Sequence, residues 1–180
     1  NRGNGNGGPM KVAPLSAWSC SHEIAKFGES FSLNERLVDF SAMTHYSQIS
    51  AEATVLHSNA LLYLLWIKPE QMHEKFFFDL LGELVWDYKN DRDHNFWDHS
   101  HLPPSEHSLQ ERMRALWSMW RSEELQNASL VQLQETFGNG SCNVYDSLPF
   151  SYALFMQNYQ TTHSILDAAN AGGDNDTNAK

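Results

Sequence analysis

The sequence predicts an all-α fold, a bundle of several helices without a sheet, and three observations carry that reading. Apolar residues recur at helical spacing along most of the chain: Leu109, Met113, Leu116, Trp117 and Trp120 share one face, as do Phe76, Leu80 and Leu84 with Phe77 and Leu81 beside them. No stretch alternates apolar and polar residues as a half-buried strand does. Breakers stand between the periodic segments, with Pro69 behind Lys68 as a first-turn proline and Pro103-Pro104 ahead of capping choices at Ser105 and Ser108.

The spacing predicts helices over residues 15–27, 34–44, 47–67, 70–89, 107–121, 129–137, 148–158 and 162–170. The first follows a glycine-rich opening that ends in Met10-Lys11-Val12-Ala13-Pro14-Leu15. The second ends at Thr44, His45 is read as starting the third, and the fourth starts behind Pro69. The fifth carries the Leu109 to Trp120 stripe. The sixth closes on Phe137-Gly138-Asn139-Gly140, a glycine C-cap, and the seventh opens at Ser147-Leu148-Pro149 with proline in its first turn. The eighth runs into the glycine pair Gly172-Gly173.

Between the fourth and fifth helices, residues 87–107 mix Asp, Asn, His and two prolines with no long apolar face, and residues 90–107 read as an exposed loop or insertion. His94, His99 and His101 with Asp93 and Asp98 offer imidazole and carboxylate donors suited to a transition metal. Nothing in the pattern fixes the imidazole geometry, so a solvated loop is the reading adopted, with the histidines as passengers.

A length of 180 residues suits a single domain spanning 1–180, and 41% hydrophobic residues suffice for a core. Twelve Lys and Arg against 22 Asp and Glu give a net charge of −10, which argues against nucleic acid as a partner. An anionic ligand must then be held locally, by backbone N–H groups of a glycine-rich loop or a helix N-terminus. Cys20 and Cys142 form neither a disulfide framework nor a Cys-x-x-Cys zinc pattern, which fits a reducing cytoplasmic setting. No apolar run approaches a membrane span. The sequons at Asn127, Asn139 and Asn175 are read as unused.

Two motifs at opposite ends carry chemistry. Ala171 to Lys180 read Ala-Gly-Gly-Asp-Asn-Asp-Thr-Asn-Ala-Lys, so Asp174, Asp176 and Thr177 offer oxygen donors of the kind Mg²⁺, Mn²⁺ or Ca²⁺ prefers. Alone, the same residues would also serve as a solvated acidic turn. Gly3 to Gly8 could likewise be a flexible terminus, except that they run into an anchored Met-Lys-Val-Ala-Pro-Leu segment, as a phosphate-cradling loop must.

Together the two motifs resemble the ADP-ribosylglycohydrolase family, which carries Gly-Asn-Gly-x-x-Met-Arg/Lys-x-x-Pro in mid-chain and Gly-Gly-Asp-x-Asp-Thr near the end. Ala42-Met43-Thr44-His45-Tyr46 looks like the family's Thr-His segment, and Phe137 to Phe150 is similar to its Gly-x-Gly stretch followed by Ser-hydrophobic-Pro. The resemblance implies an orthogonal multi-helix bundle, a pair of Mg²⁺ or Mn²⁺ ions held in part by Asp174, Asp176 and Thr177, and ADP-ribose bound by Gly5, Asn6, Gly7, Gly8 and His45, with Gly138, Gly140 and Val144 as lining residues. Lys11 stands where many relatives have Arg, which weakens any bidentate contact there.

The implied function is hydrolysis of the glycosidic bond between ADP-ribose and a protein side chain or small conjugate, by a cytoplasmic monomer. A non-catalytic ADP-ribose reader or crystallin-like relative stays open beside it, as does an unrelated helical protein built on the histidine-rich loop. The family's first segment holds a Glu and a Thr-Asp-Asp run that complete the metal shell and supply the acid or base, and no Thr-Asp-Asp occurs here. The chain is therefore expected to be a fragment, lacking the general acid or base, and inactive by itself.

Overall fold

The structure, a computed structural model, describes residues 3–23, 30–75, 77, 78, 81, 109–138 and 141–174. Seven α-helices and no strand occur among them: α1 (Gly7–Glu23), α2 (Ser30–Ala42), α3 (Gln48–Trp66), α4 (Leu109–Arg121), α5 (Leu130–Phe137), α6 (Val144–Asn158) and α7 (His163–Asn170). A 3₁₀ turn at Pro69–Gln71 follows α3. The protein is all-α, as the periodicity predicts. The histidine-rich residues 90–107, with His94, His99 and His101, lie outside the described residues.

Several boundaries differ from the sequence reading, among them α2, read over 34–44 and found at Ser30–Ala42, and three of the differences have a local reason. α1 begins at Gly7, not at residue 15, so Gly7, Gly8 and Pro9 form its first turn and Pro14 lies inside it. Glycine and proline are poor helix formers on average, but Pro is tolerated in a first turn, where its missing N–H has no intrahelical partner to lose. α6 begins at Val144, not at residue 148: the Asn143 side chain accepts the Tyr145 N–H at 3.2 Å as N-cap, and Pro149 falls inside the helix. α3 begins at Gln48 behind Ser47, whose hydroxyl accepts the Ser50 N–H at 3.2 Å, so His45 precedes the helix and does not open it.

Two apolar clusters hold the bundle, and α3 contributes to both. Ala51 and Val55 pack with Val12 of α1 and Leu33, Leu37 and Val38 of α2. Ile49, Ala53, Leu56 and Ala60 face the larger cluster, which takes Leu109, Met113, Leu116 and Trp120 from α4, Leu133 and Phe137 from α5, and Phe150, Leu154 and Met156 from α6. The Leu109 stripe is thus buried as its spacing implies, while Trp117 is partly buried and stacks on Phe78 at 4.8 Å between centroids. Of the fourth predicted helix, Phe77, Phe78 and Leu81 are buried, and Phe76, Leu80 and Leu84 lie outside the described residues.

The contact between α1 and α3 is of a different kind. It is built from small and hydroxyl side chains, including buried Ser16, Ser50, Thr54 and Ser58, with Ser16 Oγ and Ser58 Oγ 2.7 Å apart. A Cβ added to Gly8 would stand 2.3 Å from Thr54 Oγ1 and 3.0 Å from Ser41 Oγ. The two helices therefore approach as closely as glycine allows, which holds the N-terminus of α1 against the body of α3.

On the far side of α3 a cavity of about 330 Å³ is lined by His57, Leu61, Tyr152, Phe155 and Ile165 among others. His57 Nδ1 lies 3.0 Å from the Tyr152 hydroxyl. Burial pushes the imidazole down to about 4 from its ordinary 6.5 and pushes the Tyr152 hydroxyl up. The unfolded chain takes up a proton at His57 that the folded protein refuses, so this contribution is complete above pH 6.5 and is lost as pH falls toward 4. The loss should reach up to about 3 kcal/mol. Urea unfolding at several pH values would show it, and His57→Gln should flatten the dependence in that window; an unchanged slope would remove His57 as its source.

No helix among the described residues is long and apolar enough to cross a membrane.

Candidate functional site

The four sequence segments singled out for chemistry meet at one end of the bundle. Extended residues just ahead of α1 lie against the start of α6: Gly5 and Asn143 form an antiparallel bridge, the Asn6 N–H donates to the Cys142 carbonyl at 3.0 Å, and the Val144 N–H donates to the Asn4 carbonyl at 2.9 Å. From the other side the start of α3 holds the same strip. Ser47 Oγ donates to the Gly3 carbonyl at 2.8 Å and Ser50 Oγ to the Gly5 carbonyl at 2.7 Å. The glycine-rich opening is therefore a clamped segment ending in a helix.

His45 lies in the turn from α2 to α3, its N–H donating to the Ser41 carbonyl at 2.8 Å. Its ring rests on the glycine strip. A Cβ at Gly7 would stand 2.4 Å from the His45 Cε1, and one at Gly5 2.9 Å from its Nε2. Thr44 Oγ1 is 2.9 Å from His45 Nδ1. Burial lowers the imidazole pKa from its ordinary value, and the positive charge of Lys11 lowers it further, so the neutral ring is favoured. Gly5 and Gly7 have a steric reason to be glycine, and that reason is His45.

The carboxylate loop arrives from α7. Gly172 and Gly173 have φ of +82° and +75°, a left-handed conformation that turns the chain out of the helix and that side chains resist. Gln134 Nε2 of α5 donates to the Ala171 carbonyl and anchors the turn. Asp174 then meets the opening motif directly: Asn6 Nδ2 donates to Asp174 Oδ2 at 2.8 Å and lies 3.4 Å from Ser147 Oγ. Residues 168 positions apart thus share a hydrogen bond.

Other predicted positions take different places. Gly8 is buried against α3, so its lack of a side chain serves helix packing while its N–H stays at the first turn of α1. Val144 is fully buried in the large apolar cluster, so its side chain supports the site from behind. Gly138, with φ of +89°, ends α5, and its Cβ would stand 3.3 Å from Asp146 Cγ. Asp146 is held by Ser141 Oγ at 3.2 Å and by Arg112 Nη2 at 3.9 Å, while Arg112 also donates to the Thr136 carbonyl at 3.2 Å. Gly140, Asp176 and Thr177 lie outside the described residues.

Sequence reasoning missed Ser47, Ser50 and Arg112. The serines carried a usable signal, since Ser47 stands one residue before a helix start. Arg112 carried none, because its partners lie in α5 and α6.

At the N-terminus of α1 the N–H groups of Gly7 and Gly8 make no hydrogen bond among the described residues, which leaves donors and the positive helix end for an anion. No group of three His, Cys, Asp or Glu side chains gathers among the described residues. Asp174 is followed by Asp176 and Thr177, an oxygen-only series whose donor chemistry fits a hard divalent cation.

A helical domain that sets a glycine-opened helix end beside a neutral histidine and an acidic turn has the parts of an anion-binding, carboxylate-bearing site. The family model for ADP-ribosylglycohydrolase matches residues 1–180, and the chain belongs to that family. No curated protein and no solved structure matches the chain.

Proposed function

We propose that this protein binds ADP-ribose, attached to a protein side chain or to a small acceptor, and serves hydrolysis of the glycosidic bond with two Mg²⁺ or Mn²⁺ ions. The observation that supports the reading is the hydrogen bond from Asn6 to Asp174, which brings the residue just ahead of α1 together with the first carboxylate of the oxygen-donor series. Asp174, Asp176 and Thr177 would hold metal, and bound metal would orient water and stabilise developing charge. The Gly5 to Gly8 strip would receive the diphosphate on the first amides of α1, and His45, kept neutral, would offer a hydrogen-bonding ring without an added charge. Hydrolysis passes through an oxocarbenium-like ribose and needs an acid or base.

The absence of a Thr-Asp-Asp run from the 180 residues favours binding without turnover for this chain taken alone. Calorimetric titration should therefore show ADP-ribose binding, weakened about 10-fold in His45→Ala, the effect of losing one hydrogen bond to a charged group. Assays with Mg²⁺ and Mn²⁺ should show no ADP-ribose release. No binding would refute the proposal. Turnover would mean that an acid or base already lies within the chain, with Glu52, buried in α3 and receiving a hydrogen bond from Gln48 at 2.7 Å, the first residue to substitute.

A further inference from the structure

The geometry points to Asn6 as a positioning residue for the Asp174 carboxylate, a role toward the metal and not toward the nucleotide. This rests on the proposed metal reading of the Asp174 loop and deepens it. Asn6 is only 7% exposed. Its carboxamide nitrogen is directed at Asp174 Oδ2 and Ser147 Oγ, both groups of the protein itself. Withdrawing a buried amide from such partners would leave its N–H groups unsatisfied, so the side chain is committed to them before any ligand arrives.

The Asn6 backbone is fixed on both sides. Its N–H donates to the Cys142 carbonyl at 3.0 Å, and its carbonyl accepts the Met10 N–H at 3.1 Å in the first turn of α1. The donor is thus immobile. Its acceptor stands beyond the Ala171 carbonyl that Gln134 anchors, behind Gly172 and Gly173, which bring no side chains, and a Cβ at Gly172 would have nothing within 4 Å. With Oδ2 engaged by Asn6, Oδ1 makes no hydrogen bond among the described residues and is the oxygen left for a cation. A neutral amide suits this place, since it orients the carboxylate without introducing a cation that would repel the metal.

The test compares the parent protein with Asn6→Leu, near in volume but without a donor, Asp174→Ala, and the double variant, each confirmed folded by circular dichroism. Mn²⁺ is titrated by calorimetry without nucleotide, ADP-ribose affinity is measured separately, and metal-free thermal unfolding is followed. Asn6→Leu should weaken Mn²⁺ about 10-fold, as loss of a carboxylate's supporting hydrogen bond does. Asp174→Ala should weaken it further, and the double variant should be no weaker than Asp174→Ala. The metal-free destabilisation caused by Asn6→Leu should shrink in the Asp174→Ala background, showing that the two side chains are coupled without metal.

Mn²⁺ affinity within two-fold of the parent in Asn6→Leu, with loss in Asp174→Ala, overturns the inference while the metal reading stands. Loss of ADP-ribose affinity at unchanged Mn²⁺ affinity overturns it equally, assigning Asn6 to the ligand. Unchanged Mn²⁺ affinity in Asp174→Ala removes the metal reading and the inference with it. Should the leucine prevent folding, Asn6→Ala is read by the same criteria.

Discussion

Asp176→Ala is expected to weaken Mg²⁺ or Mn²⁺ binding on the order of 100-fold or more, because one carboxylate a few ångströms from a divalent ion contributes several kcal/mol even in a partly solvated site. Water cannot replace it without leaving excess positive charge in the shell. Thr177→Ala should be milder, since the lost oxygen is neutral. Calorimetric titration is the direct measurement, and unchanged binding in Asp176→Ala would end the assignment of this loop to metal.

Gly8→Val should have the largest effect on stability, about 4 kcal/mol, from forced separation of two packed helices together with disturbed buried hydroxyls. The first added carbon would stand 2.3 Å from Thr54 Oγ1, and that oxygen is engaged with its own helix through a 2.7 Å hydrogen bond to the Ser50 carbonyl. Thr54 is β-branched and stiff, so α1 has to move. Ser50 also holds Gly5, so displacement of α1 should reach the glycine strip, and on the proposed function ADP-ribose affinity should fall together with the denaturant midpoint. Gly172→Ala is the control: its φ is strained but its surroundings are open, and about 1 kcal/mol is expected. Equal midpoints for the two variants would show that contact between α1 and α3 does not limit stability.

The fold class was legible because each helix writes its own period. The Leu109 to Trp120 stripe of α4 depends on residues three or four positions apart, and it stands buried in the structure. The start of α1 was not legible. Local propensity assigns Gly7-Gly8-Pro9 to a loop, and what makes them helical is the close fit of α1 on Ser41, Ser50 and Thr54, residues more than thirty positions away. Pro149 misled in the same way, reading as a first-turn proline although Asn143 caps the helix six residues earlier.

For the site, the sequence by itself determined the chemistry on offer: oxygen donors behind a glycine pair, a glycine-rich segment before an anchored helix, and a histidine beside a threonine. It could assign these residues to a family through their types and order. Tertiary structure alone decided their company. It turned Asn6 toward Asp174 across 168 positions, laid His45 on Gly5 and Gly7, drew Gly8 into a helix contact and sank Val144 into the core. The physical reason is range. Backbone propensities and caps act within a turn or two, whereas these pairings follow from how α1, α3, α6 and α7 bury their apolar faces together.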